Sequence, residues 1–94
     1  MYGTVAKCVV KPENRLALSE LTKRQMAERE VPGYITSYML FENDSDVCWL
    51  FAVFQDRASY DANADDHAMD AQYQEYSALM EGAPEWHDGE IEQG

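Results

Sequence analysis

A chain of 94 residues is one domain long. Without disulfides, a metal or a partner subunit, that length limits the core it can bury. Apolar residues make up 46% of it, with two Trp, six Tyr and three Phe, which argues against disorder. Seven basic residues against eighteen acidic ones leave a net charge of −11, a surface that repels phosphate backbones and anionic lipid, so neither nucleic acid nor membrane is an expected partner.

From Tyr2 to Val10 the chain has β character, carried by Val5, Val9 and Val10. Lys11-Pro12-Glu13-Asn14 ends this strand, and Pro12 is placed to open a helix. Residues 13–30 are rich in helix formers, with Ala17, Leu18 and Leu21 marking an apolar face, and Val31-Pro32-Gly33 stops them. Residues 34–42 (YITSYMLFE) and 47–54 (VCWLFAVF) read as two strands joined by the polar turn Asn43-Asp44-Ser45-Asp46. Asp56 is an N-cap for the short helical piece RASYDANA, which Asp65-Asp66 interrupts and recaps. Met69, Tyr73, Tyr76 and Met80 then form a helical stripe over residues 67–80. Gly82 and Pro84 end that helix, and residues 85–92 alternate enough for a fourth, edge-like strand. The order β-α-β-β-α-β predicts an α+β, ferredoxin-like fold with both helices on one face of an antiparallel sheet, in a single domain over residues 1–94.

The strand 47–54 is apolar on both faces, where a sheet covered on one side alternates. Two helices cover one face only, so a second copy of the chain is the expected cover for the other, making a homodimer. Trp49, Phe51 and Val53, being large, are assigned to the helix side. The opposite set, Cys48, Leu50, Ala52 and Phe54, with Thr4, Ala6, Cys8 and Val10 on the first strand, is assigned to the partner side. Two sheets meeting through small residues leave a gap, so Ala6, Cys8, Cys48, Leu50, Ala52 and Phe54 are expected to line a pocket for a small hydrophobic molecule.

Lys11-Pro12, Pro32-Gly33-Tyr34 with Tyr38, the hairpin into VCWLFAVF and the run Phe54-Gln55-Asp56-Arg57-Ala58-Ser59-Tyr60 together resemble the antibiotic biosynthesis monooxygenase-like proteins of the dimeric α/β-barrel superfamily. The resemblance spans nearly the whole chain. It implies a homodimer whose sheets form a barrel, a pocket in each subunit between sheet and helices, and relatives that include cofactor-independent oxygenases of quinol-like aromatics, haem-degrading enzymes and isomerases of small metabolites. Many members carry Trp where this chain has Phe54 and His where it has Asn63. The haem-degrading branch carries Asn where this chain has Ala6 and a ligand His near Tyr73, so haem degradation is not expected.

His67 stands near Asn63 (i−4) and Asp70 (i+3), and a histidine there could deprotonate an acidic phenol or enol, with Asn63 and Tyr73 positioning oxygen atoms. It also reads as a surface histidine among acids. Asp61, Asp65, Asp66, His67 and Asp70 match no metal-ligand spacing, and a solvated acidic helix face is the simpler reading. Cys8 and Cys48 form no CxxC pair and lack an evident activating partner, so they read as inert, reduced thiols. No phosphate loop, nucleophile elbow or dinucleotide fingerprint is present, and no cofactor or metal is expected. No apolar stretch nears ~18 residues and nothing like a leader precedes the first strand, so a soluble, cytoplasmic protein is expected. The function expected is cofactor-independent oxygenation or isomerisation of a small aromatic or carbonyl-bearing molecule; the alternative is a non-catalytic binder or dimeric interaction protein.

Overall fold

The computed structural model describes residues 1–94. β1 (Tyr2–Val9) is followed by a 3-10 turn over Pro12–Asn14 and by α1 (Arg15–Glu28). β2 (Tyr34–Phe41) and β3 (Val47–Phe54) form the hairpin, α2 (Arg57–Ala64) and α3 (His67–Ser77) follow, and β4 (Glu85–Glu90) closes the chain. The strand order is β2-β3-β1-β4 and every pairing is antiparallel, the ferredoxin-like arrangement. No helix is long and apolar enough to cross a membrane.

Local chemistry explains the boundaries. Asp56 accepts the Ser59 amide at 2.8 Å and opens α2. Asp66 accepts the Ala68 amide at 2.9 Å and opens α3, so the acidic pair 65–66 does break and restart the helix. These amides hold both carboxyls below the usual carboxylate range. α1 ends at Glu28 rather than residue 30, because Arg29 is already extended (φ −141°, ψ 127°) to feed the turn in which Tyr34 N–H donates to Val31 O. Gly33 completes that turn at φ +79°, and a Cβ there would lie 2.4 Å from the Cβ of Ser59; α2 packs directly against the turn.

The two sheet faces are the reverse of the size-based assignment. Thr4, Ala6, Cys8, Val10, Cys48 and Phe54 are buried, and the cluster Ala6, Cys8, Val10, Leu18 and Cys48 packs with Tyr76, Leu79 and Met80 from the helix side. Trp49, Phe51 and Val53 therefore lie on the other face, with Val5, Val9, Tyr38 and Leu40. The reason is complementary size. α1 and the α3 segment bring the bulk, as Leu18, Leu21, Tyr76 and Met80, and close approach requires small residues on the strands beneath. Only 10 of 94 residues are buried, a small core for this many apolar side chains, and the open face leaves Tyr38 65% and Leu40 49% exposed.

Cys8 and Cys48 are register partners on adjacent strands, both buried and both reduced. Burial pushes each thiol up to about 11. The thiolate is the reactive form, so iodoacetamide at pH 8 is expected to leave both unlabelled in the native protein and to modify both after unfolding, as read by intact mass. The raised values also carry a pH consequence: the unfolded chain releases these protons near pH 9 and the native chain only near 11, so stability is expected to fall across that window.

Candidate ligand cavity

A cavity of about 130 Å³ lies between the helix face of the sheet and α3. Leu50, Ala52 and Met39 form its floor, Met69, Tyr73, Tyr76 and Met80 its roof, and Pro84 and Trp86 its rim. The lining is mostly apolar. Tyr73 and Trp86 meet at the rim with ring centroids 6.5 Å apart and planes tilted by 46°, presenting aromatic surface to anything that enters. Thr22, Ser37, Ala52, Met69 and Tyr76 also line a second chamber of about 130 Å³, which adds Gln25, Arg29, Tyr34, Asn63 and Gln72. The two chambers share a wall and differ in chemistry: the first is almost wholly apolar, and the second mixes apolar side chains with polar ones.

Most polar groups around them are engaged. Tyr76 Oη donates to Thr22 Oγ1 at 3.2 Å, and Thr22 Oγ1 donates to Leu18 O at 3.0 Å; burial pushes the Tyr76 hydroxyl up. Tyr34 Oη donates to Ser37 Oγ at 2.8 Å, and Gln25 Nε2 reaches Gln72 O at 3.4 Å. Asn63 is different. Its Nδ2 finds only the Met69 sulfur, at 3.7 Å, and its Oδ1 is buried without a partner. An unsatisfied buried acceptor costs about 1–3 kcal/mol, a cost that a ligand hydroxyl could relieve.

The structure sorts the residues singled out from sequence. Leu50, Ala52 and Phe54 line the chambers, but under the chain's own helices and not between two sheets. Ala6, Cys8 and Cys48 lie in the sealed core, where helix packing leaves no space over them. Asn63 and Tyr73 reach the two chambers from α2 and α3 respectively. His67 does not reach either: its side chain is fully exposed and its Nδ1 lies 3.9 Å from Asp70 Oδ2. The i−4 spacing from Asn63 fails because the helix restarts at Asp66 between them. The acidic residues around His67 do not converge into a metal-binding group. Sequence reasoning passed over Trp86, Gln25, Arg29 and Gln72. Gln25 and Gln72 had a signal, being polar residues at apolar-stripe spacing from Leu18, Leu21 and Met69.

The deciding comparison is structural. A monooxygenase from the gene ActVA-Orf6 of Streptomyces coelicolor, in complex with nanaomycin D, superposes with a TM-score of 0.80 over 99% of this chain and 88% of its own, at 22% identity. This chain has the fold of the antibiotic biosynthesis monooxygenases. SnoaB, a cofactor-independent oxygenase from Streptomyces nogalater, matches with a TM-score of 0.77 at 19% identity, over 99% of this chain and 94% of its own. A conserved protein from Methanosarcina mazei matches with a TM-score of 0.78 at 19% identity, over 97% and 92%. The sequence itself matches no family model and no curated protein. The monooxygenase-like fold agrees with the resemblance drawn from the Lys11-Pro12, Pro32-Gly33-Tyr34 and Phe54–Tyr60 segments.

Proposed function

We propose that this monooxygenase-like chain binds a small aromatic molecule in the cavity beneath α3 and oxygenates it without a cofactor. The observation that carries the reading is the apolar chamber beside a second one lined by Asn63, whose Oδ1 is buried without a partner. A cavity of about 150 Å³ holds benzene, so each chamber suits about one ring, and the pair suits a fused two-ring phenol. Asn63 accepts the phenolic hydrogen bond, and Tyr73 with Trp86 covers the ring. The reaction is that of an electron-rich phenol with a free para position. One atom of O₂ enters the ring, the other leaves as water with two hydrogens of the substrate, and a quinone results. The chain acts as a homodimer, its open sheet face covered by a second copy.

No His, Cys, Asp or Glu lines either chamber, which favours a second reading, a binder that performs no chemistry. Titration with 1-naphthol, followed by tryptophan fluorescence and by an oxygen electrode, separates the two. Saturable quenching with protein-dependent oxygen uptake and appearance of 1,4-naphthoquinone is the expected outcome. Quenching without uptake leaves the binder, and no saturable quenching removes both. His67→Ala is expected to leave affinity and oxygen uptake within about twofold of wild type, because the imidazole stands in solvent; a tenfold loss in the uptake assay would return His67 to the mechanism.

A further inference from the structure

We propose that the cavity is built for an aromatic ligand that carries an anionic group, and that Arg29 is the residue that reads it. The proposal rests on the cavity being the binding site and names the class of molecule it takes.

Of the seven basic residues in the chain, only Arg29 lines either chamber. It is also the least exposed of the ion-paired cations: its side chain is 17% exposed, against 52% for Lys11, 53% for Arg24 and 71% for Arg57. Withdrawing a guanidinium from water has a desolvation cost that a single half-exposed partner offsets only in part.

That partner is Asp66, whose Oδ2 lies 3.1 Å from Arg29 Nη2. Asp66 lines an outer groove with Arg29, Val31 and Asn63 and does not line the inner chambers. Its other oxygen is occupied in capping α3. Arg29 Nη1 lies 3.2 Å from Gln72 Oε1. A guanidinium has five N–H donors, so these two contacts fix its plane and leave donors over. Arg29 also stands between groove and second chamber, since it lines both. The inner lining contains no carboxylate to compete with an incoming anion. An aromatic carboxylate fits: ring in the greasy chamber, carboxylate against the Arg29 fork, where paired charge-assisted hydrogen bonds are strongest.

The probes are 2-naphthoate and its neutral isostere 2-naphthamide, titrated at pH 7 into the full chain by calorimetry. Hydrogen bonds to a charged group are among the strong ones, so wild type is expected to bind the carboxylate at least about tenfold more tightly than the amide. Arg29→Gln is expected to abolish that preference while the amide still binds. Asp66→Asn keeps the helix cap, removes the competing carboxylate, and is expected to enlarge the preference; this variant carries the test should Arg29→Gln fail to fold. Equal affinities in wild type, or a preference that survives Arg29→Gln, would overturn the role of Arg29 and leave the cavity standing. Absence of binding by either probe would overturn both the anchor and the cavity.

Discussion

Leu40→Asp is expected to convert a dimer of this chain into folded monomers. Leu40 sits on β2 opposite Trp49, on the face that no helix of the chain covers, and is already 49% exposed in the single protomer. An aspartate there points into water when the protomer is alone and costs it little. In the proposed dimer it would be buried against apolar surface from both sheets, in Val5, Val9, Trp49, Phe51 and Val53. Lys7 shares this face, opposite Trp49, yet withdrawing a new carboxylate from water still costs more than a single cation returns, so the dissociation constant is expected to rise about tenfold or more. Leu40 lines neither chamber, which separates assembly from ligand binding. Sedimentation velocity at micromolar concentration, with circular dichroism as the check on folding, reads the outcome. A wild-type chain sedimenting at its own 10.7 kDa would contradict the sheet-face dimer directly.

Ala52→Leu is expected to abolish ligand binding without loss of stability. Ala52 is the smallest of the residues that both chambers share, on the central strand β3 and in register with Thr4 and Ser37. Three more carbons there occupy space that is now empty, so the substitution gains apolar burial of about 0.8 kcal/mol per methylene instead of straining a filled core. The ring of a ligand competes for that same volume. Affinity for 1-naphthol is expected to fall about 100-fold while the melting temperature holds or rises. A variant that binds as wild type does would place the ligand elsewhere.

Much of the fold was legible because its punctuation is local. Pro12, Val31-Pro32-Gly33, the Asn43–Asp46 turn, Asp56 and Asp66 each act through their own backbone preferences or short-range hydrogen bonds, and the element order follows from them. The double-sided greasiness of β3 was equally plain. Which face met the helices was not, because VCWLFAVF offers an apolar set to either side. The choice depends on the bulk that α1 and α3 carry, and size on a strand alone misleads: bulky helix residues such as Leu18 and Tyr76 select small strand partners such as Ala6 and Cys8. The lining of the candidate cavity was legible only where a residue faces the chambers through its own element, as Asn63 and Tyr73 do. His67 was drawn to Asn63 by an i−4 spacing that the helix break at Asp66 dissolves. Arg29 and Trp86 escaped notice because their roles depend on elements far apart in sequence: Arg29 at the end of α1 meets Asp66 and Gln72, and Trp86 on β4 meets Tyr73 on α3.

A crystal structure of the chain soaked with 1-naphthol tests the location of the binding site most directly. The ring should lie beneath α3, in contact with Leu50, Tyr73 and Trp86, with its hydroxyl within hydrogen-bond distance of Asn63 Oδ1. A ring held between two sheets, on the Trp49 and Phe51 face, would contradict it.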